Sequence, residues 1–232
     1  MPIRKRFVRF LREYRSVAVF FVSMLLFRSA FADWMKVPSG SMNPTIVEGD
    51  RILVDKNVYG FRIPFTLVRL THGSDPKRGD IVVFPSPEDG TVLVKRVVGV
   101  PGDRIEMRDE HLFVNATPVD YEPAVDVANA DAELPRATRA QERLYLTEHL
   151  AGRAHAIMVL PEREAMRSFG PAVVPSGQYL VLGDSRDNSK DSRYIGFVPR
   201  GSIYGRAFRV AWSLDAEHHY RPRIDRTLAP LR

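Results

Sequence analysis

The chain has 232 residues, of which 44% are hydrophobic and 27% charged, which suits a globular body and excludes a disordered one. It has no cysteine, so disulfides, a thiol nucleophile and cysteine-based zinc sites are excluded together. The net charge of +6 fits nucleic acid or an anionic membrane surface, and its distribution chooses between them.

Residues 1–15 read "MPIRKRFVRFLREYR" and form a basic block. "SVAVFFVSMLLF" follows, almost wholly apolar from Val17 to Phe27. A basic block ahead of an apolar run keeps the N-terminus in the cytoplasm and sends the rest of the chain outside. The densest positive charge adjoins the apolar run, so it reads as membrane-facing, with lipids rather than nucleic acid as partners. The uninterrupted run of about eleven residues matches the core of a cleavable signal peptide, and "AFA" at Ala30 to Ala32 has the form of a cleavage site. That site raises the further expectation that one copy cuts another at Ala32. Extended over 16–32, the segment makes roughly 26 Å of helix, the short limit for a membrane span. Arg28 breaks the usual signal pattern and could snorkel from the outer end of an anchor. Physics alone leaves anchor and signal open.

Short β-like runs follow at 51–55, 80–84, 91–99, 104–107, 111–115, 156–160, 178–184 and 203–212. Gly49-Asp50, Gly79-Asp80, Gly102-Asp103 and Gly183-Asp184 punctuate them as turn signals at uneven intervals, not as a repeat. The pattern predicts a mainly β fold, a barrel or sandwich-like sheet. Residues 33–115 and 177–214 form the predicted core. Residues 116–176, rich in Ala, Pro and acids, read as an inserted region with long loops and a small hairpin near 143–160. Residues 215–232 read as a polar surface tail.

Serine hydrolases on a G-x-S-x-G elbow are excluded, since the chain has none. None of the six histidines stands in a telling context, and "EHH" at 217–219 reads as solvated. Ser74 to Lys77 matches S-x-x-K, but Pro76 and Gly79 oppose the helix that motif needs. A serine can instead be activated by a neutral lysine. The lysine must then fall from about 10.4 to about 7–8, which burial without a carboxylate partner supplies. Lys95, in "TVLVKRVVG", has no acid between Thr91 and Val100. Alternation puts it on one face with Leu93 and Val97, and Arg96 on the other with Val94 and Val98. Taken alone, Lys95 reads more readily as a snorkelling surface lysine. Likewise "GDSRDNSKDSR", residues 183–193, reads either as a solvated turn or as a rigid hydrogen-bond network.

Three segments together resemble bacterial signal peptidase I, the leader peptidase of the serine–lysine class, family S26. "PSGSMNPT" (38–45) resembles its nucleophile box, "VKRVVGVPGD" (94–103) its lysine box, and "GDSRDNSKDSR" its third box, with "GDRILVDK" (49–56) as an intervening strand. The resemblance runs from about Arg28 to Phe113 and from about Val174 to Trp212. It implies a membrane-bound serine endopeptidase that removes signal peptides from exported preproteins, with no cofactor and no metal. It implies Ser41 as nucleophile and Lys95 as general base. Ser39 and the Ser41 N–H would form the oxyanion hole, and Ser189 would orient the base. Asp191 with Arg193, and Asp184 with Arg96, would give structural support. It also implies an anchor at 16–32, with the catalytic body on the periplasmic side of the bacterial inner membrane and the export machinery nearby. Ser185 stands where the family commonly has asparagine, and one membrane segment stands where better-known members have two.

The nine residues from Ala32 to Ser41 span at most about 32 Å, so Ser41 would lie near the outer membrane surface. Substrate is expected as an extended strand against residues 34–38 and 92–95, with Val37, Met42 and Val94 lining shallow pockets that favour A-x-A. A specialised pilin-processing peptidase of a conjugation system is the near alternative. A membrane-anchored β-domain that binds partners without catalysis is the distant one, and the presence of both Ser41 and Lys95 opposes it.

Overall fold

The repeated Gly-Asp pair is a structural device at three of its four positions. In each, glycine takes a positive φ: 98° at Gly49, 86° at Gly79 and 89° at Gly102. The aspartate N–H then donates to the carbonyl three residues back, closing a β-turn, and its carboxylate accepts that residue's N–H. The pairs are Asp50 with Val47, Asp80 with Lys77 and Asp103 with Val100. Each such turn launches or links strands, which is why β-branched runs follow it.

A computed structural model of the chain describes residues 14–30, 32–61, 63, 70–124 and 131–231. The basic block over residues 1–13 and Phe31 of "AFA" lie outside the described residues. Helix α1 covers Arg15–Ala30, 16 residues. Among the described residues, no helix is long and apolar enough to cross a membrane. The expected segment 16–32 is also shortened at its outer end, because Ala32 already opens strand β1 and pairs with Asp55.

Strands β1 (Ala32–Lys36), β2 (Asp50–Asp55), β3 (Ile81–Pro85) and β4 (Val92–Gly99) come next. After them run β5 (Arg104–Arg108), β6 (His111–Val114), β7 (Thr117–Pro118) and β8 (Asp120–Pro123). The chain continues with β9 (Leu144–Leu150), β10 (Arg153–Val159), β11 (Phe169–Val173) and β12 (Gln178–Leu182). It ends with β13 (Val198–Pro199), β14 (Gly205–Asp215) and β15 (Arg221–Pro222). The fold is mainly β, as expected. The main sheet runs as an open path, β1-β2-β14-β3-β4-β12-β13, with β15 on β14.

Residues 116–176 hold more order than long loops. The hairpin expected near 143–160 is β9 with β10, and β8 adds a third strand to it. Strand β11 pairs with β5, in a four-stranded sheet β11-β5-β6-β7 that joins residues on both sides of position 116. The polar tail is not merely a surface segment. Leu231 packs on the core cluster of Val37, Met42, Ile46 and Ile52, and Arg226 reaches Asp50.

Strand β4 positions the candidate base. Its first half pairs with β3 alone, placing Lys95 opposite Val82, while β12 joins it only from Arg96 onward. From Lys95 to Gly99 every residue is buried, so both faces of the strand meet protein. The outer edge of Val92–Lys95 has no strand partner among the described pairings, nor does that of β1 at the end of the sheet.

Candidate active site

Ser41 sits in a tight turn between β1 and β2. The Asn43 N–H donates to the Gly40 carbonyl at 3.1 Å, and the Ile46 N–H to the Met42 carbonyl at 2.9 Å. Met42, Ile46 and Val37 sink into the core cluster that β2 and β3 build, which fixes the turn from beneath. The side chain of Ser41 is left only partly covered.

Lys95 Nζ lies 2.6 Å from Ser41 Oγ and donates to the Val94 carbonyl at 3.0 Å. Lys95 is only 2% exposed, so the surface-lysine reading fails: the whole stem and the amine are covered. Burial pushes its pKa down to about 8, against the upward pull of Asp191 and Asp184 and with some downward help from Arg193. Both acids are already engaged. Arg96 donates to Asp184 through Nε at 2.8 Å and Nη2 at 2.7 Å, and Arg193 grips Asp191 at 2.8 and 2.9 Å. Paired in this way, they hold the loop without lending Lys95 a salt bridge of its own. The structure thus brings together Ser41 with Lys95, Arg96 with Asp184, and Asp191 with Arg193.

The loop 183–193 is the rigid alternative, not the solvated one. Asp184, Ser185, Arg186, Asp187, Ser189 and Asp191 are all buried. Asp191 also accepts the Gly183 N–H at 3.0 Å, and the Ser185 N–H donates to the Ser41 carbonyl at 3.2 Å. Gly183 departs from the other three Gly-Asp pairs, having no positive φ. A Cβ there would stand 2.2 Å from Ser189 Oγ and 2.4 Å from the Ser41 carbonyl oxygen. Close approach, not turn geometry, requires glycine.

Ser39, Ser41, Lys95 and Ser189 line one cavity of about 470 Å³. Leu93, Tyr194, Arg163, Glu164, Asp187, Asn188 and Lys190 form the rest of its wall. Ser189 shares the cavity with Lys95, but its buried hydroxyl makes no hydrogen bond there, and the second partner of the amine is Val94. Val37 and Met42 do not line the cavity. They are core residues, with Val94 packed partly against them, because the apolar side chains beside Ser41 bury in the nearest cluster. A larger cavity, about 580 Å³, lies between Lys77, Arg78, Arg153 and Tyr179. Its wall holds no serine or threonine.

Sequence reasoning missed Arg163, Glu164 and Tyr194 in the wall, and it missed His155. That histidine is buried, with Nε2 3.3 Å from Glu148 Oε1 and 4.0 Å from Asp184 Oδ1. Glu148 faces it across the β9–β10 hairpin, but Asp184 lies far downstream, and no local pattern marks the two acids as its partners.

The arrangement can move a proton from a hydroxyl to a buried amine, beside an open cavity. Comparisons with known proteins agree with that chemistry. The profile of the family described as signal peptidase, peptidase S26, matches residues 10–212. Signal peptidase I of Pseudomonas fluorescens is 38% identical over 201 aligned positions, covering 81% of this chain and 67% of its own length. That of Pseudomonas aeruginosa is 36% identical over 200, with the same coverage. Signal peptidase I of Buchnera aphidicola from Acyrthosiphon pisum is 30% identical over 246, covering 92% of this chain and 78% of the relative.

Proposed function

The chain belongs to the signal peptidase family, peptidase S26, and is a serine endopeptidase; from that premise we propose that Ser41 and Lys95 cut signal peptides from exported preproteins. The observation that carries this reading is the 2.6 Å approach of a buried amine to a hydroxyl. In its neutral form Lys95 keeps one N–H on the Val94 carbonyl and turns its lone pair to the Ser41 hydroxyl. Ser41 Oγ attacks the carbonyl carbon of the residue before the cut, and its proton passes to Nζ. The oxyanion that forms is held by the Ser39 hydroxyl and the Ser41 N–H, donors aimed at charge absent from the ground state. Lys95 returns the proton to the leaving amine, and water later frees the acyl group through the same base. Ser189, in the same cavity, is the group that steadies the amine when it carries the proton.

The substrate adds as an extended strand against residues 34–38 and 92–95, where the edge of Val92–Lys95 has no strand partner among the described pairings. The core of Val37 and Met42 beneath the Ser41 turn, with Val94 packed partly on it, cannot yield to a large side chain, which supports a preference for small residues at −1 and −3. The apolar helix Arg15–Ala30 anchors the chain, with the N-terminus in the cytoplasm and the catalytic body at the periplasmic face of the inner membrane. Supporting this are the exposed apolar residues Val17, Val19, Phe20, Phe21 and Met24 of α1. Trp34 and Trp212 add to it, with ring centroids 6.2 Å apart, as the kind of aromatic pair that sits at membrane interfaces. Lipids, preproteins and the export machinery are then its partners.

Cleavage of a preprotein in detergent tests the reading. Ser41→Ala and Lys95→Ala should each lose at least about a thousandfold in kcat. Near-normal turnover in either variant would remove the dyad.

A further inference from the structure

Behind the polar loop lies a buried ionic cluster that this chemistry does not use. Glu148 on β9 is 0% exposed and Arg186 in the loop 1%. Arg186 Nη2 donates to Glu148 Oε2 at 2.6 Å, and the Tyr121 hydroxyl on β8 donates to the same oxygen at 2.7 Å. His155 on β10 closes the far side against Glu148 Oε1 and Asp184 Oδ1. Burial alone would raise the Glu148 carboxyl. The Arg186 guanidinium, His155 and the Tyr121 hydroxyl together outweigh it and hold the acid well below the usual carboxylate range. Two further bonds run alongside: the Met158 N–H donates to the Asp184 carbonyl at 2.8 Å, and the Leu160 N–H to Asp187 Oδ2 at 2.7 Å.

The sheet β8-β9-β10, with Leu160 just past its last strand, therefore grips Asp184, Arg186 and Asp187, the residues that surround Ser185. Ser185 in turn holds the Ser41 carbonyl through its N–H. A buried ion pair is a poor source of stability, because a packed apolar pair of similar volume does as well or better. What a guanidinium on a carboxylate supplies is a fixed orientation. Here that orientation is imposed one residue away from the contact to the serine backbone.

We infer that the inserted β8-β9-β10 sheet is part of the positioning apparatus of the active site, with Glu148 acting through Arg186 and Ser185 to hold the backbone of Ser41. The inference rests on the reading of Ser41 as nucleophile. Glu148 touches no reacting atom and is a positioning residue.

Preprotein cleavage by the full chain in detergent tests it, with kcat and KM measured separately well below the melting temperature of each variant. Glu148→Gln should lower kcat about tenfold or more, with KM within about threefold of wild type. The double variant Glu148→Leu with Arg186→Met removes both charges at once. It should recover the melting temperature yet keep the loss in kcat. Wild-type kcat in Glu148→Gln, or a kcat that recovers with the melting temperature in the double variant, overturns the inference. Should the double variant not fold, the single variant decides. Ser41→Ala and Lys95→Ala run beside them. Activity surviving there means that the nucleophile reading has failed, whereas activity lost there and kept in both Glu148 variants sinks this inference alone.

Discussion

One amine carries opposite demands from stability and from chemistry. Lys95 is buried, and its pKa is driven from 10.5 to about 8. The folded value lies below the unfolded one. The cost to the fold, about 3 kcal/mol, is therefore fully present below pH 8 and is relieved as pH rises toward 10.5. That cost is the reactivity: at pH 7 about a tenth of the molecules hold a neutral base, where an ordinary lysine would offer less than about one in a thousand. Activity should follow the neutral form. The kcat/KM for preprotein cleavage should rise close to tenfold per pH unit below 8 and level off above it. A profile flat from pH 6 to pH 9 would mean that Lys95 does not limit proton transfer. The absence of acids between Thr91 and Val100 was the legible part of this environment. Asp184 and Asp191, which oppose the shift through space, lie about ninety residues downstream, and no local pattern measures their distance.

At the scale of the element, the loop 183–193 works as a rigid wall because its acids and cations satisfy one another inside the protein. The density of donors and acceptors in "GDSRDNSKDSR" left a network or a solvated turn open, and the pairing of Asp191 with Arg193 was expected from the resemblance. What the string does not contain is the other side of the contacts, namely Glu148, Leu160, Arg167 and the Ser41 carbonyl. Gly183 shows the difference well. It looks like one more turn glycine, yet its role is to let two loops touch. Gly183→Ala should force a methyl group into the Ser41 carbonyl and Ser189 Oγ, with an overpacking cost of about 1–3 kcal/mol. The strain falls on the serine turn, so cleavage should drop about tenfold to a hundredfold while far-ultraviolet circular dichroism keeps its β spectrum. Unchanged cleavage by Gly183→Ala would show that the two loops can part without harm to the site.

Across the whole molecule, strands were legible wherever β-branched runs met Gly-Asp turns, because alternation and turn chemistry are local. The order in which those strands pair was not, and neither was the return of the tail. Arg226 lies 176 residues from Asp50 and donates to both of its carboxylate oxygens, at 3.0 and 2.6 Å. It also reaches the Thr45 carbonyl at 3.0 Å and Glu133 at 2.9 Å. A sequence rich in Arg and His near its end gives no sign that one arginine is destined for the interior. Asp50 is the acid of the turn that follows the serine segment, and its other bond holds the Val47 N–H. The tail thus closes the structure over the back of the nucleophile turn. Arg226 is 13% exposed and Asp50 fully covered, so removing the cation leaves a buried carboxylate with only one backbone donor. Arg226→Ala should cost about 2–3 kcal/mol, less than for a fully buried pair because water reaches the arginine side. For a body of this size that is a fall of roughly 5–10 °C in melting temperature. Adding Asp50→Asn to Arg226→Ala should recover part of the loss, since the stranded charge goes while an acceptor for Val47 remains. Thermal melts of the two variants decide it: if Arg226→Ala melts with the wild type, the tail merely rests on the sheet, and if Asp50→Asn lowers the midpoint further, the buried charge was not the source of the loss.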